Sequence, residues 1–264
     1  MRVHGRRVDV WNGQFTRPLD RQFSISLCTT CMGRANDLAQ TLPKNIADNA
    51  DYPHLEFVVL DYNSQDGLEQ WIKENMMPYV ESGRLVYAKT TEPKWYQMAH
   101  SRNVAFKLAS GEIVCNVDAD NWTGPGFASV LNRLANERQS RAVFTKGRQL
   151  IRGRLAFYKQ EWEKELGGYD ETLQHYGHDD MDLMYRALLQ GFRLMWFGKD
   201  YVERIRTGSL ERVQNMAVKN WRHTEKINRA VSDSNIERGL LKSNEGRTWG
   251  AAVVQKNFTE NLFV

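Results

Sequence analysis

Between Phe23 and Arg138, short apolar runs alternate with segments whose apolar residues recur every three to four positions. That rhythm restricts the chain to very few folds. Phe23–Cys28 reads as a strand, and Ala35–Asn49 as a helix with Leu38, Leu42 and Ile46 along one stripe. Leu55–Leu60 is an apolar run of the kind found in strands covered on both faces. Gly67–Tyr79 reads as a helix, Arg84–Lys89 as a strand, and Lys94–Ala109 as a helix closed by Ser110-Gly111. Ile113–Val117 is a fourth strand, and Gly126–Arg138 a helix with Phe127, Val130, Leu131 and Leu134 on one face. Strand and helix in strict alternation predict an α/β fold, a mostly parallel, doubly wound sheet flanked by helices. Ligands of such sheets sit at the carboxyl ends of the strands, which points to Thr29, Asp61 and Asp118.

Beyond Arg141 the alternation weakens. Ala142–Thr145 and Leu155–Tyr158 read as strands and Gln160–Leu166 as a short helix. A glycine-rich loop, Gly167–Gly177, leads to a helix over Asp179–Gln190 that stops at Gly191, and Phe192–Phe197 is a further strand. Ser209–Asn235 is a polar helical stretch, and the tail to Val264 carries no pattern.

Composition excludes several classes. With 41% hydrophobic residues and eight Trp, the chain can bury a sizeable core and is not mainly disordered. The net charge of +4 comes from basic residues spread along the chain, which speaks against a nucleic-acid partner. Met1–Asp20 is polar and basic without a signal-like core, and no apolar run approaches the roughly 20 residues that span a bilayer. The expected location is therefore cytoplasmic, with peripheral contact to a membrane left open. Cys28, Cys31 and Cys115 are too few for a disulfide framework or a zinc site and read as strand-end thiols.

Three groups of residues could carry chemistry. Asp118-Ala119-Asp120 follows a buried strand and offers oxygen ligands to a hard divalent cation. Arg102 falls on the stripe shared by Trp95, Met98, Ala105, Phe106 and Ala109, where a guanidinium needs an anion, either a nearby Asp or a nucleotide phosphate. Asp179, Asp180 and Asp182 crowd the first turn of one helix. Capping accounts for one or two of them. A carboxylate kept ionised there would suit a general base facing an alcohol.

The stretch Ala99-His100-Ser101-Arg102-Asn103 to Glu112, followed by Asp118-Ala119-Asp120-Asn121, resembles the approach to the DxD motif of family 2 glycosyltransferases. Phe23–Thr29 and Leu60-Asp61-Tyr62-Asn63 to Gly67 match that family's first two strand ends. Gly167–Glu171 through Asp179-Asp180-Met181-Asp182-Leu183 is similar to the acceptor-side segment shared with galactosyltransferases. The likeness covers roughly residues 23–197, with four motifs in the family's order.

The resemblance implies a GT-A fold, with a helical C-terminal extension, and inverting transfer of a sugar from a nucleotide donor, usually a UDP-sugar, to a hydroxyl of a glycan or other acceptor. It divides the chain into an N-terminal extension (1–22), a nucleotide-sugar half (23–121), an acceptor half (122–205) and that helical extension (206–264). It places Mn²⁺ or Mg²⁺ on Asp120 and Asp118, with His223 the candidate third ligand. Thr29, Arg34, Asp61, Asn63, Arg102 and Asp118 would line the nucleotide site. Tyr62 stands where the family commonly has a second acidic residue and would stack on the base. Asp180 matches the catalytic carboxylate of the family's "ED" pair, whose first member here is Asp179. Apart from the resemblance, the glycine-rich Gly167–Gly177 loop reads as flexible enough to act as a lid over the donor.

The rivals have less behind them. A nucleotidyltransferase would want a glycine-rich phosphate loop, which Thr29-Thr30-Cys31-Met32-Gly33 is not. A non-catalytic sugar-nucleotide-binding protein would not need both Asp120 and Asp180. Transfer to hydroxylated nucleic-acid bases lacks a basic stripe interleaved with aromatics.

Overall fold

The computed structural model of the chain describes residues 1–138, 140–147, 154–206, 208 and 210–264. A short hairpin, β1 (Arg2–Val3) and β2 (Arg6–Arg7), precedes the main body. The expected alternation follows: β3 (Ile25–Cys31), α1 (Ala35–Asp48), β4 (Leu55–Tyr62), α2 (Leu68–Asn75), α3 (Met77–Glu81) and β5 (Leu85–Thr90). Then come α4 (Met98–Leu108), β6 (Ile113–Asn116), α5 (Phe127–Glu137), β7 (Ala142–Thr145), β8 (Ala156–Tyr158), α6 (Lys159–Lys164), α7 (Asp179–Leu189) and β9 (Arg193–Trp196). The C-terminal part supplies α8 (Trp221–Glu237), β10 (Val253–Lys256) and β11 (Glu260–Phe263).

These strands form one nine-stranded sheet in the order β11-β10-β5-β4-β3-β6-β8-β7-β9. The central strands β5, β4, β3 and β6 are parallel. Both flanks turn antiparallel, through β8 against β6 and β10 against β5. Each central strand is buried on both faces, because two apolar clusters sandwich the sheet. One gathers Leu38, Leu42, Phe127 and Leu131 from α1 and α5, and the other Val104, Phe106, Leu183 and Leu188 from α4 and α7.

Three expectations change. The helix that reads as Lys94–Ala109 begins at Met98, because residue 97 is extended and the Tyr96 N–H is taken by Asn215 O at 2.8 Å. Trp95 is consequently 39% exposed rather than on the core face. The patternless tail is a β-hairpin that extends the sheet, so among the described residues the extension is helical in α8 and in a 3-10 turn at Glu211–Val213; Ser209, the first residue of the predicted stretch, lies outside the described residues.

The glycine-rich loop is also no free lid. Arg186, 1% exposed, donates to Leu166 O at 2.8 Å, Gly168 O at 2.9 Å and Asp182 Oδ2 at 2.8 Å. Asn244 donates to Gly167 O and Tyr169 O, and Asn228 on α8 to Gln174 O and Gly177 O. A loop whose carbonyls are held this way gains nothing by opening. Asp182, third of the acidic trio, is the structural partner of Arg186. Arg186→Ala should therefore destabilise the fold by about 3–5 kcal/mol in urea unfolding, since it strands a buried carboxylate; a loss below about 1 kcal/mol would contradict this role.

Candidate active site

The order of the strands reverses at β3, which passes to β4 on one side and receives β6 on the other. A crevice at that point is the expected ligand position of an open α/β sheet. It opens here into a cavity of about 460 Å³, lined by Asp118, Asp120, Asp179 and Asp180 together. Volumes of this size hold a small-molecule ligand. Carboxylates some sixty residues apart in sequence thus face one space.

Arg102, 3% exposed, joins the two pairs. Its guanidinium donates to Asp179 Oδ2 through Nη1 and to Asp118 Oδ1 at 3.2 Å through Nη2. Burial works against its charge, but the two carboxylates hold it above its ordinary value. The partner predicted as an alternative to a phosphate is therefore present, twice over. Burial pushes the Asp179 carboxyl up, to about 6, against the pull of Arg102 and with the help of Asp180. Burial would also raise Asp118, yet Arg102, a hydrogen bond from Asn116 and the charge of Arg154 bring it below the usual carboxylate range. Asp120 goes the other way, raised by burial and by Asp118 despite Asn121 and Arg34. Arg34 spans Asp37 at 2.8 Å and Asp120 at 3.4 Å.

Asp180 is half-buried in the first turn of α7, with Oδ1 accepting from the Met181 N–H at 2.7 Å. Next to Arg102 on α4, Asn103 exchanges hydrogen bonds with the Tyr169 backbone and donates to Glu171 Oε1, so one helix both bridges the carboxylates and holds the loop that leads to them.

Several predicted residues stand elsewhere. Thr30, not Thr29, lines the cavity, since successive strand residues face opposite sides. Asp61 is fully buried, accepting from Tyr87 Oη and the Ser64 N–H at 2.7 Å each, and lies outside the cavity wall. Tyr62 is 1% exposed and bonded to His100 Nδ1 at 2.7 Å, which leaves its ring no face for a base. Asn63 turns away to Pro93 O at 2.9 Å. His223 is exposed on α8. It sits about 200° around the helix from Trp221, which with Glu225 does line the cavity, so its imidazole faces away.

The wall opposite the sheet was not foreseen at all. Glu211, Arg212, Asn215, Met216, Trp221 and Glu225 come from the C-terminal extension. Asn215 packs over Gly33, whose φ of +65° and lack of a side chain permit it: a Cβ there would lie 2.5 Å from Asn215 Nδ2. Arg154 was missed as well. It precedes β8, where attention to strand ends does not look, and an arginine immediately before an apolar run was the only signal.

A Rossmann-like sheet with a carboxylate pair at its switch point and a second pair across the cleft defines a GT-A glycosyltransferase with a nucleotide-sugar-binding fold. The chain belongs to glycosyl transferase family 2, whose model matches residues 26–190, more than half of its length. Among solved structures it is similar to the mannosyltransferase PcManGT from Pyrobaculum calidifontis in complex with GDP-Man and Mn²⁺. That likeness has 20% identity and a TM-score of 0.63, over 88% of this chain and 68% of that one. S. aureus TarS 1–349 in complex with UDP-GlcNAc matches at 18% identity and a TM-score of 0.61, over 80% and 67%. Glucosyl-3-phosphoglycerate synthase from Mycobacterium tuberculosis, in complex with Mn²⁺, UDP and phosphoglyceric acid, matches at 13% and 0.54, over 76% and 79%. At these identities the likeness concerns the fold. No curated protein sequence matches the chain. Among the described residues no helix is long and apolar enough to cross a membrane.

Arg102→Gln would deprive Asp179 and Asp118 of its charge, raising Asp179 further and lifting Asp118 out of its depressed range. A carboxyl raised on folding contributes stability that is present below its unfolded value and is lost as pH rises through the folded one. The variant should therefore lose more stability than the parent at about pH 8 and less at about pH 5 in urea unfolding. Equal losses at both would show that Arg102 does not neutralise them.

Proposed function

We propose that the chain is a metal-dependent, inverting glycosyltransferase that moves a sugar from a nucleotide sugar, with uridine the expected base, to the hydroxyl of a glycan or similar acceptor. The convergence of Asp118, Asp120, Asp179 and Asp180 on one cavity carries this reading. Residues 23–121 then form the donor half, and Gly167–Leu183 the galactosyltransferase-like acceptor segment.

Among the described residues no three His, Cys, Asp or Glu side chains cluster into an all-protein metal cage. The donor set nonetheless fits Mn²⁺ or Mg²⁺. Such ions are commonly held by one or two carboxylates and complete their shell with substrate phosphates and water. Asp118 and Asp120 would be those ligands, without His223. A divalent cation there would offset the negative charge that grows on the departing diphosphate.

The chain's own residues do the rest. Asp180, at the cavity wall, takes the acceptor's proton as its oxygen bonds to the anomeric carbon. A single base with no covalent intermediate gives inversion. Arg102 keeps Asp179 ionised beside Asp180 and at the same time orients Asp118, so the donor and acceptor sides are set by one side chain. Thr30, Arg34 and Met32 line the donor end. Trp221 and Glu225 line the acceptor end with Tyr176, whose ring lies edge-on to Trp221 at 6.2 Å.

Asp180→Asn should lower kcat by roughly 10²–10⁴ while leaving UDP affinity nearly unchanged. Asp120→Ala should remove the Mn²⁺-dependent part of that affinity. Calorimetric titration with UDP beside a UDP-release assay separates the two; near-normal turnover of Asp180→Asn would exclude it as the base.

A further inference from the structure

β8 runs antiparallel to β6, with Ala156 opposite Cys115 and the Asn116 N–H bonded to Leu155 O at 3.0 Å. The start of β8 therefore abuts the end of β6, and Arg154 is delivered to the same cavity as Asp118 and Asp120. Its side chain is 3% exposed. Among the described residues it donates to neutral acceptors, Trp122 O at 3.1 Å and Asn121 Oδ1 at 3.3 Å, and its buried Nε has no partner. Among the described residues no carboxylate lies within ion-pair distance of it, and none of residues 139, 148–153, 207 and 209 is Asp or Glu. Burial lowers the proton affinity of this guanidinium, with the charges of Asp118 and Asp120 working the other way.

Arg34 and Arg102 in the same cavity are committed to carboxylates. Lys146, half-buried, and Arg204, exposed, also line the cavity, and among the described residues neither has a carboxylate within ion-pair distance. The backbone of Arg204 bridges Asn121, the residue whose side chain Arg154 holds. Arg154, Lys146 and Arg204 thus border the same cavity as the carboxylate pair, as does Arg212. A buried guanidinium with no carboxylate in ion-pair contact is poorly compensated unless the cavity receives an anion.

We propose that Arg154, with Lys146 and Arg204 at the rim, is an anion subsite for the diphosphate of the donor nucleotide, and that Arg154 takes up the charge of the leaving group during transfer. The inference rests on the sugar-transfer reading above. In that step the bond between the anomeric carbon and the β-phosphate oxygen breaks, and its electron pair stays on the phosphate. The acceptor oxygen bonds to the anomeric carbon and gives its proton to Asp180. The extra negative charge forms beside Arg154, whose planar fork suits two phosphate oxygens.

The test is calorimetric titration of the full chain with UDP, GDP, UMP and GMP, in EDTA and in Mn²⁺. The variants are Arg154→Gln, Arg154→Lys and the rim double variant Lys146→Ala/Arg204→Ala, each checked for folding by thermal melting. Arg154→Gln should weaken the preferred diphosphate roughly ten-fold, with a smaller effect on its monophosphate, and Arg154→Lys should recover part of the loss. The rim variant should weaken it several-fold, by an amount that shrinks as salt rises. Diphosphate affinity within about two-fold of the parent in folded Arg154→Gln would overturn the inference. Equal losses for mono- and diphosphate would also overturn it. Should Arg154→Gln not fold, the rim variant decides by the same two-fold criterion. Failure of the parent to bind either diphosphate in Mn²⁺ would instead defeat the sugar-transfer reading itself.

Discussion

Arg102 is the point on which the site depends. It lies in the middle of α4, buried between the sheet and the glycine-rich loop, and holds one carboxylate from the end of β6 and one from the start of α7. A guanidinium so deep is unfavourable alone, and so is each carboxylate. Together they form a network in which no member can leave without stranding the others. Asp118 and Asp179 then have fixed positions before any ligand arrives. Preorganised charge of this kind is what a cleft needs to stabilise a developing transition state without rearranging.

Around that bridge the cavity is built from parts of the chain with very different sequence positions. The parallel core contributes the floor, as the switch-point rule requires. The antiparallel flank brings Arg154 from the other direction, because an antiparallel strand begins where its parallel neighbours end. The C-terminal extension closes the far side. Thr224 on α8 donates to Tyr176 O at 3.0 Å, so the helix carrying Trp221 and Glu225 is anchored to the loop that presents Asp180. These wall residues fall outside the stretch matched by the family model, which ends at residue 190.

Much of the fold was legible because its signals are local. Val58, Val59 and Leu60 could only suit a strand buried on both faces, and Leu38, Leu42 and Ile46 could only suit one helix face. The N-terminal boundary of α4 was not, since it is set by a hydrogen bond from Tyr96 to Asn215, over a hundred residues away. The hairpin β10–β11 was invisible because its residues alternate weakly and gain strand geometry by pairing with β5. The flexible reading of Gly167–Gly177 failed for a related reason: glycine content speaks of backbone freedom, but not of Arg186, Asn228 and Asn244, which remove it.

The amino-acid order alone determined the α/β architecture, the carboxylate pair at the end of the fourth strand of the alternation and the acidic start of the later helix, since each is written in neighbouring residues. It also established that Arg102 must meet an anion. Only the tertiary structure decided which anion, that Thr30 rather than Thr29 faces the cavity, that Tyr62 and His223 do not, and that Arg154 does. Those outcomes depend on strand parity, helix phase and the direction of a pairing partner. They are properties of how distant segments meet in space.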